Sequence, residues 1–154
     1  MREKIIIEEM TKAHIDAVCE IENDCFPAPW SRKSFYDELA NENAYYFTAA
    51  VDGKTVGYGG LWHIVNEGHI TNIAVAREYR RNGIGRALVL KMIDFAKKKE
   101  MIGLTLEVNI NNHSAQRLYS SLGFKPEGMR KNYYAETKED AVIMWKYFED
   151  YEEI

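Results

Sequence analysis

The sequence is poor in cysteine and in proline, and it has no long apolar run. Its 154 residues include two cysteines and three prolines. Two cysteines are too few for the disulfide framework of a small secreted domain, so Cys19 and Cys25 are expected to be free thiols in a reducing compartment. No apolar run approaches the roughly 20 residues that span a bilayer, and the charged start of the chain does not resemble a signal peptide. We therefore expect a cytoplasmic protein without a membrane partner.

An excess of positive charge is also missing. The chain has 20 Lys and Arg against 24 Asp and Glu, a formal net charge of −4, which provides no general attraction to nucleic acid. The four histidines show no close ligand spacing, and the cysteines do not complete a zinc pattern. The sequence therefore predicts neither a nucleic-acid partner nor a metal site. Its length suits one domain over residues 1–154.

Hydrophobic periodicity divides the chain into seven strands and four helices. The strands are expected at Ile5–Glu9, Tyr45–Val51, Thr55–Ile64, His69–Val75, Leu104–Ile110, Phe124–Tyr134 and Ala141–Phe148. The helices are expected at Thr11–Asp24, Arg32–Ala40, Ile84–Lys98 and Asn112–Leu122. Turns are indicated by Asp52-Gly53 and by Asn66-Glu67-Gly68. The order β-α-α-β-β-β-α-β-α-β-β predicts an α/β fold of the mixed α+β kind, with a central sheet flanked by helices.

A strand, a basic loop with two glycines and a helix start follow one another between residues 70 and 88. The first N–H groups of a helix lack intrahelical partners and lie at the positive end of its dipole, so they can bind a phosphate. Gly83 and Gly85 have no Cβ and let a pyrophosphate approach the backbone closely. Arg81 and Arg86 add positive charge. A simple capping turn would explain two glycines at a helix start equally well.

Two known phosphate-binding motifs do not fit this segment. A dinucleotide fingerprint needs a third glycine where Leu88 stands, and a P-loop needs Gly-Lys-Ser/Thr, which is absent from the sequence. The remaining pattern is Arg-x-x-Gly-x-Gly, starting at Arg80 and following a strand that ends Ile-Ala-Val. This pattern resembles the acetyl-CoA motif of the GNAT acetyltransferase superfamily.

Further matches along the chain resemble one branch of that superfamily, the bacterial RimI family. They are Cys25–Ser31, Asn72–Val75, Leu106–Val108, Asn112 with Ala115, Leu118-Tyr119, Leu122–Phe124, Arg130–Tyr134 and Glu139–Ala141. The resemblance covers essentially the whole chain and implies a GNAT fold with a mixed, mostly antiparallel seven-stranded sheet. It also implies acetyl transfer from acetyl-CoA to the N-terminal alanine of a small-subunit ribosomal protein, by a monomer or a weak dimer.

The resemblance implies a set of cofactor-binding residues. Ile73, Ala74 and Val75 are expected to present backbone groups to the pantetheine arm and the acetyl carbonyl. The remaining cofactor-binding residues that it implies are Arg81, Asn82, Gly83, Ile84, Gly85, Arg86 and Asn112. Pantetheine contains two amides, so an unpaired strand edge can bind it as it would an extra strand. A backbone N–H near Ile73 is then the expected oxyanion donor.

Glu107 resembles the general base of the family and Tyr119 its general acid. Tyr119 follows Asn112 by seven residues, about two helical turns, which places both on one helix face. Proton transfer from an α-ammonium (pKa about 8) to an ordinary carboxylate is uphill by roughly 5 kcal/mol. Glu107 is therefore expected to be a stronger base than usual or to act through water, with direct attack by the amine in a ternary complex. A structural ion pair is the alternative role for Glu107.

Candidate walls for the acceptor polypeptide are the stiff loop with Phe26, Pro27 and Trp30, and the adjacent Tyr133 and Tyr134. Prolines and aromatics provide contact area at low entropic cost; packing in the core is the alternative for these side chains. An α-amine is partly neutral at pH 7 whereas a lysine is not, so an N-terminal substrate needs less help. A lysine or polyamine acetyltransferase and a non-catalytic acetyl-CoA-binding module remain the alternative functions.

Overall fold

The computed structural model describes residues 4–148. Along this part of the chain the elements are β1 (Ile5–Glu9), α1 (Ile15–Cys25), α2 (Arg32–Leu39), β2 (Ala44–Val51), β3 (Lys54–Ile64), β4 (Glu67–Val75), α3 (Ile84–Lys98), β5 (Gly103–Asn109), α4 (His113–Ser121), β6 (Lys125–Tyr134) and β7 (Glu139–Tyr147). The strands form one sheet in the order β1-β2-β3-β4-β5-β7-β6. Within it, β4 and β5 are parallel and the other neighbours are antiparallel. The predicted fold class and element order are confirmed.

Most predicted boundaries lie within one or two residues of those in the structure, and two differences have a local cause. The first helix is preceded by a short 3-10 turn at Lys12–His14, so regular α-helix begins at Ile15. The predicted turn Asn66-Glu67-Gly68 is wrong, because Glu67 already pairs with Ile64 and the turn consists of residues 65 and 66. Val65 has a φ of +57° there, a conformation that β-branched residues rarely adopt. Its identity therefore gives no turn signal.

Each face of the sheet packs against its own helices. Helix α3 packs across β1 to β5 and buries Leu88, Met92 and Ala96 completely. Helix α1 packs on the opposite face against β3 and β4, where Ile15 and Val18 are buried. Neighbouring strand residues point to opposite faces, so β4 contributes side chains to both cores. In the described residues 4–148, no helix is long and apolar enough to cross a membrane.

The sheet opens between β4 and β5. Their ladder contains the pairs Gly68 with Leu104 and His69 with Thr105, although β4 continues to Val75 and β5 to Asn109. The register between β3 and β4 shifts just beyond this point, which adds one residue to β4 and forms a bulge. The two strands separate from there on, and each leaves an edge without a ladder partner on the side that faces the gap.

Candidate active site

A groove with a volume of about 870 Å³ extends from the gap between β4 and β5 to the start of α3. Cavities of this size hold small-molecule ligands. The predicted site residues that line it are Phe26, Ile73, Ala74, Val75, Arg81, Gly83, Ile84, Gly85, Arg86, Asn112 and Tyr119. The predicted site residues outside its lining are Pro27, Trp30, Asn82, Glu107, Tyr133 and Tyr134. The fold thus brings together the strand edge, the glycine loop and one of the two catalytic candidates.

Hydrogen bonding on β4 decides which backbone groups face the gap. The N–H of Ala76 donates to the Val56 carbonyl at 2.8 Å, and alternate residues of an antiparallel strand bond to the same neighbour. The N–H and carbonyl of Ala74 are therefore directed toward β3. Those of Ile73 and Val75 point the other way, into the gap. Of the three predicted strand residues, these two present backbone groups to the groove.

The carbonyl of Val75 already has partners from the protein. It accepts a hydrogen bond from Nε of Arg80 at 3.1 Å and one from Sγ of Cys25 at 3.6 Å. Arg80 also donates from Nη2 to the Cys25 sulfur at 3.3 Å. The backbone groups left for a ligand are consequently the N–H and carbonyl of Ile73 and the N–H of Val75.

The N-terminus of α3 is open toward the groove. Gly83 is its N-cap residue with φ +81°, no side chain caps the first turn, and that turn contains no acidic residue. The amides of Ile84, Gly85 and Arg86 therefore lack intrahelical partners. A Cβ on Gly83 would meet nothing within 4 Å, so the left-handed backbone, and not crowding, requires glycine. Free space, unpaired amides and the helix dipole together form an anion site.

Polar side chains before and within the first turn of α3 make different contacts. Nδ2 of Asn82 donates to the carbonyls of Tyr79 and Arg80 at 3.1 and 3.2 Å, so this side chain is used within the loop. Arg86 donates from Nη1 to Oγ of Ser121 at 3.2 Å, which joins the start of α3 to α4. Arg81 adds a cationic side chain to the groove lining. The basic character of the loop matches the anion site beside it.

Glu107 lies on β5, on the sheet face away from α3. Its neighbours Leu106 and Val108 belong to the core against α3, so the carboxylate points the opposite way. The side chain is 24% exposed, and Oε1 accepts from Nε of Arg130 at 3.2 Å. The ion-pair alternative therefore has a partner in the structure. Because the Arg130 side chain is 56% exposed, solvent screens the pair, which contributes little to stability.

Tyr119 lines the groove from α4. Burial, with a smaller contribution from the nearby Tyr134, raises the pKa of its phenol to about 12. Tyr134 in turn has a pKa raised to about 12, first by burial and then by Tyr133 and Glu107. The pKa of Tyr119 thus responds to Tyr134, and the pKa of Tyr134 responds to Glu107. The tyrosines supply phenols that stay protonated at neutral pH.

Asn112 caps α4 at the other side of the groove. Its side-chain oxygen accepts from the Ala115 amide at 3.1 Å, and both residues line the cavity. The side-chain oxygen of Asn112 is used in capping, so its amide group is what remains for a ligand. Asn112 and Tyr119 line the same cavity from one helix.

The predicted walls for an acceptor peptide occupy different environments. Phe26 lines the groove, whereas Pro27 is exposed to solvent. The Trp30 ring packs against the Phe35 ring of α2, with centroids 5.4 Å apart. This contact agrees with the alternative role of Trp30, which is packing in the core. Tyr133 is 48% exposed and contacts Tyr134 edge to face at 5.1 Å. The exposed tyrosine and the loop are available to a large substrate.

Sequence reasoning did not assign several residues that the structure brings to the groove. They are Cys25, Tyr79, Arg80, Ser114, Ala115 and Leu118. The position of Arg80 in the glycine motif is a signal that could have identified it, and the apolar spacing of α4 points to Ala115 and Leu118. Cys25 begins one of the segments that resemble the RimI family, but its contacts are with residues 50 or more positions away. Within the described range 4–148, no three His, Cys, Asp or Glu side chains are grouped to hold a metal ion.

Comparison with known proteins identifies the family. The model of the Acetyltransferase (GNAT) family matches residues 15–124. A Bacillus subtilis protein, provisionally named a [ribosomal protein bS18]-alanine N-acetyltransferase, is 42% identical over 146 residues, which are 94% of this chain and 97% of that protein. N-alpha-acetyltransferase RimI of Mycobacterium tuberculosis is 33% identical over 148 residues, 92% of each chain.

A solved structure gives the same result. The crystal structure of the ribosomal-protein-S18-alanine N-acetyltransferase from Escherichia coli superimposes with a TM-score of 0.85 at 32% identity, covering 97% of this chain and 100% of that one. The resemblance to RimI enzymes is therefore confirmed over nearly the full length. The chain belongs to the GNAT acetyltransferase family.

Proposed function

We propose that this protein transfers the acetyl group of acetyl-CoA to the N-terminal α-amine of a protein, and that its substrate is the N-terminal alanine of ribosomal protein bS18. The observation that carries the proposal is a groove lined by an open helix N-terminus, a free strand edge and the Tyr119 phenol. The Bacillus subtilis relative that is named for this substrate matches over 94% of this chain and 97% of its own, which supports the same substrate.

Acetyl-CoA is the acyl donor of the family, and the residues of the groove fit its parts. The open amides of Ile84 and Gly85, with Arg81 and Arg86, suit the diphosphate. The free backbone groups of Ile73 and Val75 suit the pantetheine amides. When bound, the cosubstrate supplies an activated acetyl thioester.

The Ile73 N–H is our proposed donor to the acetyl oxygen, on which negative charge develops during attack. It points into the gap between β4 and β5 from a strand held on its other edge by β3. A donor that is fixed before the reaction contributes roughly 3 kcal/mol in comparable sites. This backbone contribution does not depend on the identity of the side chain.

Glu107 is the proposed proton acceptor for the attacking amine. Because it is outside the groove lining and also bonds to Arg130, we infer that the proton reaches it through water. An α-amine with a pKa near 8 is about one tenth neutral at pH 7, so a substantial fraction of this substrate needs no deprotonation before it attacks. A lysine amine near 10.4 would need far more help.

Tyr119 is the proposed partner of the departing sulfur. Its pKa of about 12 lies some 3.5 units above that of an ordinary thiol, so complete transfer of its proton is uphill by about 5 kcal/mol. Tyr119 therefore stabilises the departing sulfur mainly by donating a hydrogen bond. The proton that the amine loses goes to Glu107, so the net charge of the site does not change. Burial keeps the phenol protonated throughout the physiological range.

We also propose that residues 1–154 act as one domain in the cytoplasm, where ribosomal proteins are made. The family match and the single sheet of residues 4–148 support one domain. The absence of nucleic-acid and membrane partners, and a monomeric or weakly dimeric state, stay predictions from the sequence.

A peptide panel tests the proposed function. Peptides that begin Ala-Arg should be acetylated at the α-amine, because that amine is partly neutral at pH 7. N-blocked peptides that contain lysine, and polyamines, should react at least about 100-fold more slowly, since their amines are protonated. Mass spectrometry after incubation with acetyl-CoA measures both. Acetylation of the blocked peptides or polyamines alone would replace this function with the corresponding lysine or small-amine activity.

Replacing Arg81 by alanine tests the anion site. A charge-assisted hydrogen bond to phosphate is worth about 1.5–3 kcal/mol, so we expect the Kd for acetyl-CoA to rise at least tenfold, with a weaker dependence on salt. Isothermal titration calorimetry at two salt concentrations measures this. The control is Arg117→Ala, which removes the same charge from an exposed position of α4. An equal effect of the two variants would show that Arg81 acts only through its positive charge and makes no specific bond to the phosphate.

A further inference from the structure

Helix α1 contains a buried carboxylate that the proposed chemistry does not use. Glu22 is 3% exposed, and a carboxylate at such a position is costly unless hydrogen bonds compensate for the lost water. Its two oxygens have separate partners. Oε1 accepts from the hydroxyl of Tyr58 on β3, and Oε2 accepts from the backbone N–H of Trp30 at 2.8 Å. The second partner lies on the proline-rich loop beside the groove.

Both ends of that loop are attached to Glu22. The Glu22 carbonyl accepts from the N–H of Phe26 at 3.1 Å, where α1 ends. The Glu22 side chain holds Trp30, the last residue of the loop. Pro27 and Pro29 have no N–H to donate, so the backbone offers few other hydrogen bonds to fix the segment. The loop 26–30 is thus closed at a single residue.

Aromatic packing completes the connection. The Tyr58 ring contacts Phe35 of α2 edge to face at 5.7 Å, and Phe35 contacts the Trp30 ring at 5.4 Å. Glu22, Tyr58, Phe35 and Trp30 therefore form a closed circuit of contacts between α1, β3, α2 and the loop. A loop held in this way has one position relative to the sheet.

The loop held by Glu22 starts at the groove. Cys25 and Phe26 line the cavity next to Ala74, and Ala74 pairs with Tyr58 across β3 and β4. Any shift of the loop moves Phe26 relative to the strand edge and to the gap. The carboxylate itself does not line the cavity, so it can act on a ligand only through the loop.

We propose that Glu22 is a positioning residue for the acceptor polypeptide: it fixes the loop 26–30 as one wall of the entry for the substrate N-terminus. The inference rests on the proposed function, because it assumes a peptide acceptor. Glu22 selects how the acceptor is held and leaves acetyl-CoA binding to β4 and α3. Loss of the Glu22 carboxylate should therefore raise KM for the peptide and leave the binding of acetyl-CoA unchanged.

Glu22→Ala is the test variant, assayed with acetyl-CoA and an Ala-Arg peptide. We expect KM for the peptide to rise at least tenfold, kcat to change less than threefold, and the Kd for acetyl-CoA to stay within twofold. Hydrogen exchange at the Trp30 amide should become at least tenfold faster, because that N–H loses its acceptor. Glu22→Gln keeps one acceptor oxygen for Trp30, and Tyr58 can reverse its hydroxyl to accept from the new amide, so we expect an intermediate KM.

A matched control is Glu38→Ala on α2. Glu38 also accepts two side-chain hydrogen bonds, from Tyr46 at 3.0 Å and from Trp62 at 2.7 Å, and both donors lie outside the loop 26–30. Wild-type KM for the peptide is expected in this variant. A tenfold increase of the peptide KM in Glu38→Ala would show that the loss of a hydrogen-bonded carboxylate from either α1 or α2 has the same effect. That result would overturn the assignment of Glu22.

Other outcomes are equally decisive. A wild-type peptide KM in folded Glu22→Ala, or a fall in kcat with unchanged KM, would overturn the proposal. If the alanine variant does not fold, Glu22→Gln decides, and wild-type KM with wild-type exchange at Trp30 would count against it. If the wild-type protein acetylates no peptide, the proposed function has failed. Exchange at Trp30 then still reports whether Glu22 holds the loop.

Discussion

Replacing Glu107 by glutamine is expected to lower kcat about 10²- to 10⁴-fold, the range typical of a lost general base. Glutamine keeps the size of the side chain and an acceptor for Nε of Arg130, but it cannot take a proton from the amine. KM for both substrates should change little, because the carboxylate is outside the groove lining. Steady-state kinetics with acetyl-CoA and the Ala-Arg peptide measure the effect.

The control for Glu107 is Asp94→Asn. Asp94 also forms an ion pair, with Lys98 at 2.9 Å on the exposed side of α3, so this variant removes an ion-paired carboxylate without touching the site. Wild-type turnover is expected from it. Undiminished turnover in Glu107→Gln itself would leave Glu107 with only its ion pair to Arg130, and the non-catalytic acetyl-CoA-binding module would return as an alternative function.

Replacing Tyr119 by phenylalanine is expected to lower kcat about 100-fold, since the departing sulfur loses its hydrogen-bond donor. The ring should remain in place, because it packs against Phe124 with centroids 5.8 Å apart. The Kd for acetyl-CoA should therefore stay near the wild-type value. Tyr147→Phe is the matched control, since Tyr147 is 54% exposed and does not line the groove.

The pH profile tests the role of Tyr119. Because Tyr119 must keep its proton to act and its pKa is raised to about 12, its contribution is present below that pH and is lost only above it. With an α-amine substrate, kcat/KM should rise with pH until the amine is neutral, near pH 8, and then stay level to at least pH 10. A decline between pH 8 and 10 that is absent from Tyr119→Phe would contradict the raised pKa.

The sequence was sufficient where local chemistry decides the structure. The boundaries of Ile84–Lys98 were predicted to the residue, because apolar spacing, a glycine start and basic C-terminal residues all agree. Asp52-Gly53 likewise forms the expected turn, with φ of +50° and +77°. The glycine loop was recognised because its anion site depends on consecutive residues. Family resemblance then supplied the candidates that spacing alone does not identify.

Contacts between distant parts of the chain could not be predicted. Glu22 reads as one more polar residue of an amphipathic helix, and its burial depends on Tyr58, 36 residues away. Ala74 appeared equivalent to its neighbours until the register with β3 showed that its backbone is already bonded. The Arg130 partner of Glu107 is 23 residues further along the chain. Each of these depends on which distant elements the fold brings together, and the spacing of apolar residues within one element does not specify that.

The gap between β4 and β5 has a consequence for what the protein admits. An edge strand at the border of a sheet has unpaired backbone groups that can pair with a strand of another chain, which is a common route to aggregation. Here the free edge of Ile73 lies inside the sheet, with β5 across from it. Hydrogen-bonded strands lie about 4.8 Å apart, so a ligand that pairs with this edge must be as thin as one extended chain. The unpaired backbone groups of β4 are thus accessible to a thin ligand that carries amides. Because β5 lies opposite them, they are shielded from pairing with a strand of another protein.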